Sequence, residues 1–142
     1  MTVSADEDEN VLHLQMSDQG SELLGYRVLV VEDDYFVAQD MCKALRRRGA
    51  IIVGPAANMQ RGRELLRQQW LDCALLDVNL NGEFVFELAA ELRTHRVHTI
   101  FTTGYDTAFL PPSLRDTPCL QKPVDFNALI RIIRASRREH RL

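Results

Sequence analysis

The chain has few cysteines and no long apolar run, and both features limit the classes of protein to which it can belong. Three of its 142 residues are cysteine (Cys42, Cys73 and Cys119), and no two of them form a C-x-x-C pair. This spacing gives no sign of a disulfide framework and favours a reduced, cytoplasmic protein. No apolar run approaches the roughly 20 residues that span a bilayer, so we expect no membrane association. The opening residues, MTVSADEDEN, do not resemble a signal peptide.

Charge is unevenly distributed along the chain. Residues 1–24 contain six acids and no lysine or arginine, whereas the remainder holds 17 basic and 14 acidic residues. We predict a flexible acidic extension over 1–24 and one domain over 25–142, which is long enough to bury a core. The small positive charge of that domain does not indicate nucleic-acid binding. The basic stretch RIIRASRREHRL near the end is interpreted as a solvated helix face.

Apolar strand-like runs alternate with segments of helical periodicity from residue 26 onward. Because strict alternation places helices on both faces of a parallel sheet, we predict an α/β, flavodoxin-like (βα)5 fold with strand order 2-1-3-4-5. Asp34 and Asp125 are expected to cap the first and last helices. The predicted strands are 27–31, 50–53, 73–76, 98–102 and 118–121, and the predicted helices are 35–48, 58–69, 84–94 and 125–138.

The fourth helix of this pattern has little room. Twelve residues separate Gly104 from Thr117, and the adjacent prolines Pro111 and Pro112 lie in the middle of them. A proline inside a helix costs about 3 kcal/mol, although it is tolerated in the first turn. We therefore predict a short fourth helix from Pro112, or a segment that is largely loop.

Acidic residues follow two strands that the predicted order makes neighbours. Glu32 and Asp33 come directly after the first strand, and Asp77 comes directly after the third. Ligands of such sheets bind at the carboxyl ends of the strands, so these acids should meet at one edge. Carboxylates, with the nearby backbone carbonyl of Asn79, are ligands that suit Mg²⁺. The cluster predicts a magnesium site.

Two further strands end in residues that suit a phosphoryl group. Thr103 ends the fourth strand with a hydroxyl, and Lys122 follows the fifth with an ammonium. An aspartate such as Asp77 can act as nucleophile and form an aspartyl-phosphate, whose charge a metal and a lysine offset. Each residue alone has a plainer interpretation as a helix cap or turn residue. Their combination at four strand ends is the informative observation.

The chain resembles the receiver domains of two-component response regulators over roughly residues 26–138. The stretch FTTGY also resembles the single-domain regulators of alphaproteobacteria with a Phe-Ala-Thr-Gly-type motif. The residues that carry the resemblance are V-V-Glu32-Asp33, L-L-Asp77-V-Asn79, T-Thr103-Gly104 and Lys122-Pro123.

The resemblance implies a function for the acidic cluster. Asp77 would be the phosphoacceptor, and Mg²⁺ would be held by Glu32, Asp33, Asp77 and the carbonyl of Asn79. The phosphodonor would be a sensor histidine kinase or a histidine phosphotransfer protein. The protein would have no enzymatic turnover beyond its own phosphorylation and dephosphorylation. It would signal by contact with an unidentified downstream protein, since no output domain is evident after residue 138, and the sequence leaves a homodimer open.

The resemblance also implies roles around the phosphoryl group. Thr103 would be the switch hydroxyl, Lys122 would pair with the phosphoryl group, and Pro123 would follow a cis peptide bond. The family usually carries an aromatic residue three positions before the lysine, where this chain has Cys119. We interpret Cys119 as a small buried hydrophobe. Tyr105 is the candidate to replace the missing ring, and to shield the phosphoryl group from water.

Two other functions compete with a phosphoacceptor. A haloacid-dehalogenase-like phosphatase also forms an aspartyl-phosphate with Mg²⁺, but it requires a D-x-D motif whose second aspartate is a general acid. Here the corresponding position after Asp77 is Asn79, which cannot donate a proton as an acid. A pseudo-receiver that binds partners without phosphorylation is the second alternative, and the complete set of polar strand ends argues against it.

Overall fold

The structure is a computed structural model that describes residues 20–104 and 110–141, the last four by their backbone alone. Its main sheet is parallel and has the order β2-β1-β3-β6-β7. Since β4 and β5 form a separate hairpin, this is the predicted order 2-1-3-4-5, and the predicted fold class is confirmed. The strands are β1 (Arg27–Val31), β2 (Ile51–Ala56), β3 (Cys73–Asp77), β4 (Asn79–Leu80), β5 (Glu83–Phe84), β6 (His98–Thr103) and β7 (Cys119–Gln121).

Four helices cover the two faces of the sheet. They are α1 (Tyr35–Arg47), α2 (Met59–Gln68), α3 (Phe86–Thr94) and α4 (Phe126–Arg141). Leu29 and Val31 of β1 belong to the apolar cluster that contains α2 and α3, whereas Val28 and Val30 belong to the cluster of α1 and α4. Successive strand side chains point to opposite faces, so an uninterrupted apolar strand serves both clusters. Within the described ranges, no helix has the length and apolar character needed to cross a bilayer.

The predicted helix caps are confirmed. Asp34 Oδ1 accepts hydrogen bonds from the amides of Phe36 at 3.0 Å and Val37 at 3.2 Å. Asp125 Oδ1 accepts from the amide of Asn127 at 2.9 Å. Each cap satisfies amides that the first helical turn leaves unpaired. Asp34 therefore serves α1, whereas the two acids before it project elsewhere.

The predicted third helix, 84–94, begins too early. Residues 83–84 form β5, which pairs with β4 across a turn at Asn81 (φ 50°) and Gly82 (φ 91°). Positive φ at both central residues is the condition that Asn-Gly satisfies in tight hairpins. Phe84, which the periodicity placed on a helix face, is instead paired with Asn79 and largely exposed.

The segment before β7 has the predicted irregularity. In its described part, Pro112–Leu114 form a single 3₁₀ turn after Pro111. The side chain of Leu114 is buried and anchors this turn in the core. The short or irregular fourth helix is thus confirmed for residues 110–117, and Tyr105 lies outside the described residues.

The end of the predicted acidic extension packs on the domain. Leu23 is fully buried, and its amide donates to the carbonyl of Arg48 at 2.8 Å. Glu22 pairs with Arg48 at the end of α1 and with Arg134 in α4. Residues 22 and 23 therefore contact the domain, and the boundary at residue 25 stays a prediction. Residues 1–19 of the extension lie outside the described part of the chain.

Candidate functional site

Three carboxylates meet at the carboxyl edge of the sheet. Glu32 and Asp33 directly follow β1, and Asp77 ends β3. One oxygen of each carboxylate lies within 4.8 Å of the other two. Glu32 is 3% exposed and Asp77 is 6% exposed, whereas Asp33 is partly exposed. The predicted convergence occurs because β1 and β3 are hydrogen-bonded neighbours.

Lys122 places an ammonium group among these acids. Its Nζ donates to Asp77 Oδ2 at 3.0 Å. It also forms an ion pair at 2.6 Å with Glu32 Oε1, although the angles of that contact lie outside those of a hydrogen bond. The backbone amide of Lys122 donates to the carbonyl of Thr103 at 2.8 Å, which joins the ends of β6 and β7. The peptide bond from Lys122 to Pro123 is cis.

The pKa values around the site reflect burial and close contact. Burial is the largest cause that raises the pKa of Glu32 to about 8; the neighbouring Asp77 adds to the rise, and Lys122 opposes it. Burial lowers the pKa of Lys122, but its contacts with Glu32 and Asp77 outweigh this and hold the pKa above the ordinary value. Glu32 therefore binds a proton more tightly than an ordinary glutamate does, chiefly because burial penalises its charged form.

The pKa of Asp33 is shifted in the opposite direction to that of Glu32 because its carboxylate accepts hydrogen bonds. Burial alone raises the pKa of Asp33, but hydrogen bonds from Glu32 and from the backbone amide of Asn81 leave the pKa below its ordinary value. The Asn81 amide donates to Asp33 Oδ2 at 2.9 Å. Asp33 consequently ionises more readily than Glu32.

The β4–β5 hairpin holds two of the acids in place. The backbone amide of Asn79 donates to Asp77 Oδ1 at 3.2 Å, while its side-chain Oδ1 accepts from the amide of Gly82 at 2.8 Å. The tip of the same hairpin carries the Asn81 amide that contacts Asp33. The contact of Asn81 was not predicted from the sequence, although the Asn81-Gly82 dipeptide is a hairpin signal. The role of the Asn79 carbonyl stays a prediction.

Thr103 and Cys119 lie on the neighbouring strands. Thr103 ends β6 and is 1% exposed. Cys119 begins β7 opposite Phe101, is half-buried, and packs against the apolar cluster of α2 and α3. Burial raises the pKa of its thiol. A small half-buried Cys119 agrees with the interpretation as a hydrophobe, whereas the switch role of Thr103 and the roles of Tyr105 stay predictions.

The residues at this edge fit a hard divalent cation. All three converging groups are carboxylates, and oxygen ligands of this kind are those that Mg²⁺ prefers. The partly exposed Asp33 opens the cluster to solvent, so the ion could keep several waters. Glu32, Asp33 and Asp77 are the side chains that would hold it.

The fold and the site agree with the comparison to known families. The sequence matches the family described as response regulator receiver domain over residues 28–134. The chain therefore belongs to the response regulator receiver domain family. Members of this family are, in general, non-enzymatic signalling modules of two-component systems.

Individual relatives extend this comparison. The chain is 30% identical over 108 residues to the transcriptional regulatory protein PdtaR of Mycobacterium tuberculosis, covering 73% of this chain and 53% of PdtaR. It thus spans about half the length of that relative. The response regulator PhyR from Brucella abortus has a TM-score of 0.72 at 20% identity, over 95% of this chain and 57% of PhyR. That likeness concerns the fold alone.

A shorter solved structure is similar over most of its own length. SdrG from Pseudomonas melonis, determined in its BeF₃-activated conformation, has a TM-score of 0.66 at 25% identity. The match covers 78% of this chain and 93% of SdrG. The described residues of this chain therefore correspond to a receiver domain in extent as well as in topology.

Proposed function

We propose that this receiver domain accepts a phosphoryl group on Asp77 in a Mg²⁺-dependent reaction and passes the signal on by protein contact. One observation carries the proposal. The ammonium of Lys122 lies between two buried carboxylates, 2.6 Å from Glu32 and 3.0 Å from Asp77. An aspartate held this close to a lysine can act as nucleophile, and the ammonium group of the lysine can offset the charge of an incoming phosphoryl group.

The reaction at Asp77 needs no proton transfer. A carboxylate oxygen of Asp77 attacks the phosphorus of the donor and forms a new O–P bond, while the bond between phosphorus and the leaving group breaks. With acetyl phosphate, acetate leaves with the electron pair. With a phosphohistidine of a kinase or phosphotransfer protein, the phosphorylated ring nitrogen takes the pair, and a proton already on the other ring nitrogen lets the ring leave as neutral imidazole. The product is a mixed anhydride of carboxylate and phosphate.

The neighbouring residues have separate tasks in this proposal. Asp33 and Glu32 hold the cation with Asp77, and the bound Mg²⁺ would offset charge on the transferring group. Lys122 moves its ammonium from the carboxylate toward the phosphoryl oxygens. Thr103, buried at the end of β6, supplies the switch hydroxyl.

The partners follow from the chemistry of the donor and of the output. The donor is a sensor histidine kinase or a histidine phosphotransfer protein, because these present a phosphoryl group to an aspartate. The signal passes to a downstream protein through contact with the segment 105–118 and α4. Phosphorylation shifts the balance of conformations of that segment. Tyr105 shields the phosphoryl group from water in this proposal. The cytoplasmic location stays a prediction.

Labelling with a small phosphodonor tests the proposal. Wild-type protein incubated with acetyl phosphate and Mg²⁺ should gain one alkali-labile phosphoryl group, measured by intact mass. Asp77→Asn should not be labelled, because an amide is not a nucleophile. Asp34→Asn is the matched control: asparagine caps a helix as well as aspartate does, so this variant should be labelled normally.

Each other result contradicts the proposal in a recognisable way. Labelling of Asp77→Asn at the wild-type rate would exclude this aspartate. Steady release of phosphate over many turnovers would indicate a phosphatase. A folded wild-type protein that neither labels nor binds BeF₃⁻ would be a pseudo-receiver.

A further inference from the structure

Thr102 buries a hydroxyl that has no hydrogen-bond partner among the described residues. Its side chain is 1% exposed, and its Oγ1 contacts neither solvent nor a polar atom at hydrogen-bond distance. Its backbone carbonyl accepts a hydrogen bond from the amide of Val78 at 2.9 Å. A buried hydroxyl without a partner destabilises the state in which it occurs. A second state of the protein that supplies an acceptor for this hydroxyl is therefore stabilised relative to the first.

The register of the sheet places this hydroxyl beside the phosphoacceptor. Thr102 is paired with Asp77 on β3 and with Leu120 on β7. Side chains paired in this way project from the same face of the sheet, on strands about 4.8 Å apart. Ile100, two residues before Thr102, and Leu120 both belong to the cluster of α1 and α4. Thr102 therefore faces that cluster next to Asp77.

Thr102 and the switch threonine occupy different faces. Phe101 belongs to the cluster of α2 and α3, so Thr103, two residues later, projects from Phe101's face of β6. Lys122, two residues after Leu120, continues along the face of Thr102. The hydroxyl of Thr102 thus lies on the side of the sheet from which Lys122 approaches Asp77.

We infer that Thr102 is a positioning residue for the phosphorylated form of this site, an inference that rests on the proposed function. In the structure, Asp77 Oδ2 accepts its hydrogen bond from Lys122 Nζ at 3.0 Å. When a phosphoryl group on Oδ1 draws the ammonium to its own oxygens, Oδ2 loses that donor and has a lone pair open besides the one that it would give to the cation. Rotation about the Cα–Cβ bond of Thr102 then brings its hydroxyl to Oδ2, and both groups are satisfied.

The test compares the wild type with Thr102 variants of the full chain and measures their affinity for BeF₃⁻ in saturating Mg²⁺. BeF₃⁻ bonds to an aspartate oxygen and mimics a phosphoryl group. Thr102→Val removes the hydroxyl at nearly constant shape and should weaken BeF₃⁻ binding about fivefold, the size of one neutral hydrogen bond. Thr102→Ser should restore most of the affinity. Without BeF₃⁻, Thr102→Val should be at least as resistant to heat as the wild type. Thr99→Val is the control, because Thr99 lies in the same strand as Thr102 but its hydroxyl donates to the backbone carbonyl of Val97 at 3.4 Å.

A purely structural role gives a different pattern. Unchanged BeF₃⁻ affinity in Thr102→Val, or equal loss in the valine and serine variants, would overturn the inference. Thr102→Ala against Thr102→Ser repeats the comparison if the valine variant does not fold. If the wild type is labelled at Asp77 and Thr102→Val binds BeF₃⁻ normally, the inference about Thr102 is wrong but the proposed function stands. A wild type that neither labels nor binds BeF₃⁻ refutes the proposed function as well.

Discussion

Glu32→Gln is expected to abolish a pH-dependent loss of stability in metal-free buffer. Glu32 is 3% exposed, and its pKa in the folded protein is about 8, against 4.5 for an ordinary glutamate. The folded state therefore binds a proton that the unfolded state has already lost. Because the folded pKa is the higher one, this contribution to stability is complete below about pH 4.5 and disappears as the pH rises through about 8.

The magnitude follows from this pKa. Between the unfolded and folded values, each pH unit removes about 1.4 kcal/mol of the free energy of unfolding. From pH 6 to pH 8 the wild type should lose about 2 kcal/mol, since Glu32 is half ionised at the upper limit. The lowered pKa of Asp33 and the raised pKa of Lys122 lie outside this window, so they add little to the slope.

Urea unfolding followed by far-ultraviolet circular dichroism, with a chelator present, measures the effect. Between pH 6 and pH 8, the free energy of unfolding of Glu32→Gln should fall by about 2 kcal/mol less than that of the wild type. The control is Glu64→Gln, which alters an exposed glutamate paired with Arg61 and should keep the wild-type slope. Saturating Mg²⁺ should flatten the wild-type slope, since a cation keeps Glu32 ionised. A wild-type slope that persists in Glu32→Gln would refute the assignment of the bound proton.

Three further outcomes are expected. Asp33→Ala should weaken Mg²⁺ binding and phosphorylation, because it removes one of the three converging carboxylates; calorimetric titration that finds unchanged affinity would remove Asp33 from the site. Gly49→Ala (φ 92°) should destabilise the fold more than Gly82→Ala (φ 91°) in urea unfolding, because its new Cβ would lie 2.9 Å from Leu24 Cα, whereas Gly82 has open space; equal losses would contradict the close approach. Hydrogen exchange should change at 103–118 on phosphorylation, and a change confined to other regions would place the output elsewhere.

The sequence alone determined which residues meet at the edge of the sheet. Strict alternation of strand and helix permits few topologies, and in a parallel sheet every strand delivers its last residue to the same edge. Glu32, Asp33, Asp77 and Lys122 could therefore be placed together from their positions after apolar runs. The caps at Asp34 and Asp125 were equally predictable, because a helix start has a local chemistry.

The tertiary structure decided what those residues contact. The hairpin at Asn81 consists of two-residue strands, which are too short for periodicity to reveal, and it brings an amide to Asp33 from 48 positions away. The packing of Leu23 on the domain likewise depends on helices that lie far along the chain. The raised pKa of Glu32 follows chiefly from burial, which depends on the tertiary structure and not on composition.

Thr102 shows most clearly what depends on the sequence and what depends on the tertiary structure. The letters FTTG present two threonines of equal chemistry, and only the register separates them. A shift of one residue along a strand exchanges its two faces, so the face of each side chain depends on pairing with strands distant in sequence. The sheet turns one hydroxyl toward the cluster of α1 and α4 beside Asp77 and the other toward the opposite face, because side chains alternate along a pleated strand.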